Sequence, residues 1–304
     1  MDRASKTILV TGATGVQGGS ATRKLLADGW RVRAITRNTG RPAAQALAEL
    51  GVDVVKADLD DTAALAEAVR GAYGVFSVQA AAGSDVPADF EWQTEARWGK
   101  NLADAAAAAG VEAFVYSSAN GADTPMDLPI LEAKWAIEEH IRSLGLPATV
   151  IRPTSFMENN FHPLVGLRNG KLMTALRPEV GQQLIAAEDI GAFIALAFAK
   201  PEIFRGKSLD IAGDDLTSPQ IAEAISRSTG RSVEYVQIPI ESLRERSEEA
   251  AKGYEWLNER KMTLADIPAL RELHPGLLDF ETWLEQRGGK EKITAYLDSQ
   301  TSSA

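Results

Sequence analysis

Three glycines near the start of the chain have the spacing and the surroundings of a phosphate-binding loop. The loop follows the apolar run Thr7-Ile8-Leu9-Val10 and precedes an amphipathic run that ends at Asp28-Gly29. A pyrophosphate needs backbone amides and a helix N-terminus directed at it, with no Cβ in the way. We therefore predict a dinucleotide-binding loop rather than a plain structural turn, which is the weaker alternative. Its predicted cofactor contacts are Gly12, Thr14, Gly15, Val16, Gln17 and Gly18.

The residues after the second predicted strand indicate which dinucleotide is bound. An acidic residue there binds the adenosine ribose 2′-hydroxyl, whereas an arginine receives a 2′-phosphate. The chain reads Thr36-Arg37-Asn38, with no carboxylate. Arg37 can form a charge-assisted pair with the phosphate, and Thr36 and Asn38 add neutral donors. We predict NADP(H) as the cofactor; the alternative is that Arg37 is an ordinary surface arginine.

Residues after the third and fourth predicted strands complete the expected cofactor contacts. Asp58 and Leu59 are predicted to bracket the adenine edge, and Asp60 and Asp61 to cap the following helix. Gln79 and Ala80 are predicted beside the nicotinamide-side ribose, although their small loop would equally suit a structural role.

Strand and helix patterns alternate through the first half of the chain, and these elements must position the loops. The predicted strands are 7–10, 31–36, 52–56, 75–78, 113–117 and 148–151, and the helices are 21–27, 43–50, 62–69, 89–109 and 131–144. This alternation requires right-handed crossovers and a parallel sheet covered on both faces. The predicted fold is α/β, a doubly wound Rossmann sheet of order 3-2-1-4-5-6 within residues 1–152.

The pattern changes after residue 152. Predicted strands at 184–185, 208–211 and 233–236 lie among predicted helices at 189–199, 219–228 and 241–258, and the tail from 299 is expected to be frayed. We expect residues 153–304 to complete the sheet and to add a smaller, mostly helical substrate-binding lobe, interleaved with the first half.

Composition excludes several classes of function. The net charge of −10 disfavours a nucleic-acid-binding surface, and no apolar run is long enough to span a bilayer. The chain has no cysteine, which excludes disulfides and thiolate catalysis. Its three histidines, His140, His162 and His274, have no metal-ligand spacing, so no metal is expected. We expect a cytoplasmic protein with no signal peptide, because only six residues precede the first predicted strand.

The chain resembles the NmrA-like atypical short-chain dehydrogenases/reductases. The matching stretches are the glycine loop, Tyr116-Ser117-Ser118, Lys134, Arg152-Pro153-Thr154-Ser155-Phe156-Met157-Glu158-Asn159, Gln182-Gln183-Leu184-Ile185 and Glu188-Asp189-Ile190-Gly191. The resemblance implies a Rossmann fold that binds NAD(P)(H), with a small C-terminal lobe. Some members reduce quinones, azo or triphenylmethane dyes or phenolic compounds, whereas others are NADP-sensing regulators that bind proteins without turnover.

The usual Tyr-x-x-x-Lys pair of short-chain dehydrogenases is incomplete in this chain. Lys134 is present, but Ile130 occupies the tyrosine position, which removes the phenolic acid that would protonate an alkoxide. The resemblance implies that Lys134 hydrogen-bonds the nicotinamide ribose, and Lys134 is also the predicted catalytic proton donor. The alternative is an exposed helix lysine among Glu132, Glu138 and Glu139.

The remaining predicted contacts follow the fifth and sixth strands. Ser117, Pro153, Thr154 and Phe156 are predicted to contact the cofactor, and Phe156 also to form a wall of the substrate pocket together with Asn120, Ile130, Met157, Asn160, Phe161 and Trp256. Packing between lobes is an equally good explanation for each apolar member taken singly.

Two functions are compatible with these residues. The first is an NADPH-dependent reductase of a conjugated aromatic acceptor, which takes hydride directly and does not require a dedicated tyrosine acid. The second is a redox sensor that binds NADP(H) and a protein partner. The apolar residues expected around the crevice favour the enzyme, and the oligomeric state is left open.

Overall fold

The structure is a computed structural model that describes residues 2–79, 91–125, 127–161 and 166–301, without the side chains of residues 160, 161 and 301. The described strands are β1 (Thr7–Val10), β2 (Arg31–Thr36), β3 (Asp53–Lys56), β4 (Gly74–Ser77), β5 (Ala113–Ser117), β6 (Ala148–Pro153), β7 (Ser155–Phe156), β8 (Gly166–Arg168), β9 (Lys171–Thr174), β10 (Gly181–Ile185), β11 (Ser208–Ile211), β12 (Asp214–Thr217) and β13 (Glu234–Gln237). The described helices are α1 (Val16–Ala27), α2 (Pro42–Glu49), α3 (Thr62–Val69), α4 (Trp92–Ala109), α5 (Pro129–Ser143), α6 (Ala187–Ala199), α7 (Pro201–Phe204), α8 (Ser218–Thr229), α9 (Ile240–Arg244), α10 (Glu248–Glu259), α11 (Ile267–Leu273), α12 (Phe280–Gln286) and α13 (Gly289–Thr301), with a 3-10 helix at Met157–Phe161.

The chain divides into two compact units. The first unit comprises Met1–Arg152 and Ile190–Leu209, and the second comprises Pro153–Asp189 and Asp210–Ala304. Among the described residues, the main sheet has seven strands in the order β11-β6-β5-β4-β1-β2-β3. The pairs from β3 to β6 are parallel. This order confirms the predicted Rossmann sheet and adds β11 at its edge.

The core of the first unit explains why its strands are continuous apolar runs. Leu9, Val75 and Phe114 have no exposed surface, because helices cover both faces of a parallel sheet. Full burial of each such side chain stabilises the fold by about 1.5–3 kcal/mol. Gly99 on α4 lets α4 approach α5 closely, since a Cβ there would lie 2.5 Å from Ile137 Cδ1.

Two predicted helices have different bounds in the structure. The first helix begins at Val16 instead of residue 21, so Gly18 lies inside it. Glycine is a weak helix former, and the sequence pattern therefore places the start too late. The helix predicted at 241–258 is two helices, because α9 ends at Arg244 and Ser247 caps α10 by accepting the Ala250 amide.

The second unit contains the described helices α8 to α13 together with two three-stranded sheets, ordered β12-β10-β7 and β13-β9-β8. Its core is formed by Trp283, Phe280, Leu284, Ile225 and Ile293, all almost fully buried. The sequence patterns did not predict β7, β8, β9 and β12, nor α7, α11, α12 and α13. Strands of two to four residues are too short to show an alternating pattern.

Candidate functional site

The predicted cofactor residues of the first unit lie at one edge of its sheet. The loops after β1, β2, β3, β4 and β5 all start at the carboxyl end of a parallel strand, and parallel strands end on the same side. The residues brought to this edge are Gly12, Thr14, Gly15, Val16, Gln17, Gly18, Thr36, Arg37, Asn38, Asp58, Leu59, Gln79 and Ser117. Ala80 lies outside the described residues.

The glycine loop forms a tight turn directly into α1. Gly12 has φ +61°, and its carbonyl accepts the Gly15 amide at 2.9 Å. Gly15 is the N-cap of α1, with no side chain capping the helix and no acidic residue in its first turn. The first amide N–H groups of a helix lack intrahelical partners and carry partial positive charge. This turn therefore presents a helix N-terminus that is available to an anion, which is what a pyrophosphate needs.

Gly18 packs α1 against the turn itself. A Cβ at Gly18 would lie 2.2 Å from Gly12 O and 2.7 Å from Thr11 O, distances at which the backbone has to move. The chain therefore has glycine at position 18 because α1 and the turn after β1 approach closely.

We expect Gly18→Ala to lower the free energy of unfolding by about 1–3 kcal/mol, the cost of overpacking. Gly253→Ala on α10 is the control, because nothing lies within 4 Å of a Cβ there and alanine is the better helix former. Urea unfolding of both variants measures the difference. A Gly18→Ala protein as stable as the Gly253→Ala protein would show that the turn is not closely packed.

Polar side chains join the end of β5 to α1 and the end of β1 to the end of β4. Ser117 Oγ donates to Gln17 Oε1 at 2.6 Å, and Thr11 Oγ1 contacts both the carbonyl and the amide of Val78. Gln79 Oε1 and Ser118 Oγ are buried and have no partner within the described part of the chain. Buried polar atoms need a hydrogen bond. These two atoms at the sheet edge therefore fit a site that takes a polar group such as a ribose.

The loop after β2 is exposed at its tip. Arg37 and Asn38 are exposed, while Thr36 is half-buried. Asn38 Oδ1 accepts the Gly40 amide at 2.9 Å, and the Asn38 amide donates to Thr36 Oγ1. Asn38 therefore shapes the turn, and Arg37 is presented at the surface beside it.

The acidic run after β3 differs in part from the prediction. Asp61 caps α3 by accepting the Ala64 amide, which confirms its predicted role. Asp60 does not cap this helix. It accepts hydrogen bonds from Arg97 and Trp98, and the bond from Arg97 lowers the pKa of the Asp60 carboxyl. Arg97 and Trp98 lie 37 and 38 residues from Asp60, so no local sequence pattern identifies them as its partners.

Lys134 lies on α5 in a buried ion pair. Its Nζ is 2.7 Å from Glu95 Oε1, and the Glu95 side chain is fully buried, whereas that of Lys134 is 10% exposed. The alternative of an exposed lysine among Glu132, Glu138 and Glu139 is therefore wrong. Glu95 was not predicted as a partner of Lys134, because the two residues are 39 positions apart in the sequence. Ile130, one turn before Lys134, is half-buried and apolar.

A second buried ion pair lies on the same face of α5. Arg152 donates to both oxygens of Glu138, at 3.0 Å and 2.7 Å, and also pairs with Asp123. Tyr116 is fully buried. Burial, with the nearby carboxylates of Glu95 and Glu138, raises the pKa of the Tyr116 phenol. Tyr116 is thus a neutral packing residue and no substitute for the missing tyrosine at position 130.

Several predicted contacts belong to the second unit. Thr154 Oγ1 donates to the Ile211 carbonyl at 3.1 Å, and Pro153 is buried beside it. Met157 has no exposed surface in the core of this unit, whereas Phe156 and Trp256 are half-buried. The side chains of Asn160 and Phe161 lie outside the described residues. The substrate role of these residues stays a prediction, as does that of the half-buried Asn120 in the first unit.

The family-like stretch that begins at Arg152 also contains structural contacts. Both carboxylate oxygens of Glu158 accept the Ala187 amide in the first turn of α6, at 3.2 Å and 3.3 Å. Burial raises the pKa of the Glu158 carboxyl, and this hydrogen bond opposes that shift. Glu158 therefore stabilises the start of α6 by capping it.

The described residues contain neither a candidate metal site nor a candidate membrane span. No group of three His, Cys, Asp or Glu side chains there is placed to hold a metal ion. None of the helices in the described ranges is long and apolar enough to cross a membrane.

Comparison with known proteins places these features in a family. The model of the NmrA-like family matches residues 4–284. An NmrA-like family domain-containing protein of Dictyostelium discoideum is 31% identical over 255 residues, which are 78% of this chain and 82% of that protein. A (4-alkanoyl-5-oxo-2,5-dihydrofuran-3-yl)methyl phosphate reductase of Streptomyces griseus is 29% identical over 239 residues, covering 78% and 79% of the two chains.

Solved structures share the fold. NmrA, a negative transcriptional regulator crystallised with NAD, superposes with a TM-score of 0.78 at 23% identity, over 96% of this chain and 98% of that one. The triphenylmethane reductase of Citrobacter with NADP(H) has a TM-score of 0.74 at 21% identity, over 91% and 98%. The NADPH-dependent quinone oxidoreductase of Escherichia coli has a TM-score of 0.76 at 23% identity, over 92% and 99%. Family match, sequence relatives and fold agree: this chain belongs to the NmrA-like family.

Proposed function

We propose that the chain is an NADP(H)-dependent oxidoreductase that transfers hydride to a conjugated small molecule, such as a quinone or an azo or triphenylmethane dye. The observation that carries the proposal is the uncapped N-terminus of α1 behind the Gly12–Gly15 turn. A helix start of this kind binds phosphate groups through its amides and its dipole. The buried, unpartnered Gln79 Oε1 and Ser118 Oγ at the same sheet edge support a ribose nearby.

The preference for NADP(H) rests on the loop after β2. Arg37 is exposed at the carboxyl end of that strand, where the adenosine 2′ position of a Rossmann cofactor lies. The loop Thr36-Arg37-Asn38 offers no carboxylate to accept a 2′-hydroxyl. A guanidinium with two neutral donors therefore suits a 2′-phosphate better than a free hydroxyl.

The proposed choice of acceptor follows from α5. When bound, NADPH supplies the hydride. Lys134 would hold the ribose and provide a proton through its ammonium, whereas Ile130 offers no acid one turn away. An acceptor that delocalises its charge needs less help from an acid than a simple ketone does. Ile130 and Lys134 therefore favour conjugated acceptors.

Relatives and neighbours support both the enzyme and its alternative. The Streptomyces griseus relative is a (4-alkanoyl-5-oxo-2,5-dihydrofuran-3-yl)methyl phosphate reductase, and two structural neighbours are a triphenylmethane reductase and an NADPH-dependent quinone oxidoreductase. The regulator NmrA superposes equally well. The second candidate is accordingly a sensor that binds NADP(H) and acts through a protein partner without turnover.

The deciding experiment is NADPH oxidation against a panel of quinones, azo dyes, triphenylmethane dyes and one simple aryl ketone, with NADPH binding measured in parallel. Turnover of a conjugated acceptor well above that of the ketone supports the proposed enzyme. Binding without any turnover supports the sensor. A wild type that reduces the ketone as fast as the quinone would contradict the account of Ile130, because another residue would then supply the proton.

We expect Arg37→Ala to weaken NADPH binding by about 1.5–3 kcal/mol, the range for a hydrogen bond to a charged group. NADH binding should hardly change, since NADH has no 2′-phosphate. Arg41→Ala is the matched control, because Arg41 is also exposed and lies four residues further along. Titration calorimetry measures the affinity of wild type and both variants for NADPH and for NADH. Equal weakening of NADPH and NADH, or an equal effect of Arg41→Ala, would show that Arg37 does not read the phosphate.

A further inference from the structure

Glu95 is a buried carboxylate that the proposed function does not use. Its side chain is fully buried on α4, and Oε1 contacts Lys134 Nζ at 2.7 Å. Glu95 Oε2 has no hydrogen-bond partner in the ranges that the structure describes. A buried carboxylate is costly unless it is paired. The ion pair with Lys134 therefore offsets the cost of burying the Glu95 carboxylate.

The packing of α4 on α5 sets the geometry of this pair. Gly99 lies one turn after Glu95 on α4, and Ile137 lies nearly one turn after Lys134 on α5. Because Gly99 has no Cβ, Ile137 Cδ1 approaches to a distance at which any other residue would collide. The close approach of the two helices at this point brings Glu95 and Lys134 together one turn away, in a fixed arrangement.

The pair is asymmetric in its access to ligands. The Lys134 side chain retains 10% exposure, whereas Glu95 has none. A lysine ammonium has three N–H donors, and Glu95 takes one of them. Glu95 is the one partner of this ammonium among the described residues, which leaves two donors, so a group that binds here meets Lys134 and not Glu95. Glu95 can influence a ligand only through the position and charge of that ammonium.

We propose that Glu95 is a positioning residue that fixes the Lys134 ammonium for contact with the cofactor ribose and the reduced acceptor. The proposal rests on the proposed function for the identity of these ligands. The hold of Glu95 on Lys134 is a property of the protein alone. The ion pair therefore predicts that the rate of acetylation of Lys134 changes when Glu95 loses its charge, with or without cofactor.

The first measurement needs no cofactor. Glu95→Gln keeps an oxygen that can accept the lysine N–H but removes the negative charge. We expect trace acetylation of Lys134, followed by peptide mass spectrometry of the folded protein, to proceed severalfold faster in this variant than in wild type. Glu132→Gln is the control, since Glu132 is exposed on the same helix. Unchanged Lys134 labelling in Glu95→Gln, or an equal change in Glu132→Gln, would overturn the proposal.

The second measurement is NADPH affinity in a double-mutant cycle of wild type, Glu95→Gln, Lys134→Met and the double variant. We expect Glu95→Gln to weaken NADPH binding about tenfold in the wild-type background, as for one bond to a charged group. It should have no effect once Lys134 is methionine, because its route of action is gone. A Glu95→Gln effect that persists in the Lys134→Met background would assign Glu95 a purely structural role and overturn the proposal.

The double variant is also a control for loss of folding. Removing both charges avoids an unpaired buried ion, so Glu95→Gln/Lys134→Met should be at least as stable as Glu95→Gln. If wild type binds no NADPH, the proposed function is wrong, and the labelling result alone decides whether Glu95 holds Lys134. If wild type binds NADPH and Lys134→Met weakens binding while Glu95→Gln does not, the cofactor site stands and the role of Glu95 is wrong.

Discussion

Gly15→Val should abolish NADPH binding while leaving the protein folded. Gly15 has φ −92°, which any residue can adopt, and the nearest atom to an added Cβ is Gly12 O at 3.3 Å. A branched side chain therefore fits the protein at a modest cost but occupies the space in front of the α1 amides. Two lost hydrogen bonds to a charged group, about 1.5–3 kcal/mol each, correspond to a loss of affinity of about 100-fold or more.

Fluorescence titration with NADPH measures this loss, and thermal unfolding checks the fold. Valine is a poor N-cap residue, so we expect a decrease in stability of at most about 1–2 kcal/mol. Gly253→Val on α10 is the control, since open space surrounds that position. A folded Gly15→Val protein that binds NADPH as wild type does would show that the phosphates do not lie at this loop.

Arg152→Met should cause the largest loss of stability. The Arg152 side chain is 5% exposed, and Glu138, which accepts two of its hydrogen bonds, is fully buried. Methionine would leave the Glu138 carboxylate in the interior with the half-exposed Arg142 as its remaining cation among the described contacts. Removing one partner of a buried ion pair costs about 3–5 kcal/mol, because the other charge is left uncompensated.

Two further variants identify the cause of that loss in urea unfolding. Arg142→Met removes the outer arginine, which is 45% exposed, and should cost less than about 1 kcal/mol. Arg152→Met/Glu138→Leu removes both buried charges and should be more stable than Arg152→Met alone. Equal costs for Arg142→Met and Arg152→Met would mean that burial of the pair does not set its contribution to stability.

The sequence by itself determined the central sheet and the glycine turn that leads into α1. Apolar runs such as Thr7–Val10 and Ala113–Ser117 are local signals, because a strand buried on both faces must be apolar throughout. The alternation with helices then leaves only a few strand orders, and the observed order is the predicted Rossmann one. The glycine spacing is equally local, since the tight turn at Gly12 and the close packing at Gly18 fall within seven residues.

Only the tertiary structure decided the partners of the charged residues. Lys134 and Glu95 are 39 residues apart, and Asp60 and Arg97 are 37 apart, so no spacing rule connects them. Lys134 has three acidic neighbours in sequence, Glu132, Glu138 and Glu139, yet its partner comes from α4. That choice depends on how closely the two helices approach, which Gly99 and Ile137 determine.

In the second unit, the short strands and one helix boundary also depend on the tertiary structure. Two-residue β7 and three-residue β8 have no periodicity of their own, and they exist because β10 and β9 pair with them. The break between α9 and α10 depends on Ser247 capping a new helix instead of continuing the old one. Local patterns determine an element when the element is long and buried. Short elements and buried ion pairs depend on distant residues, and their identity is fixed only when the chain is folded.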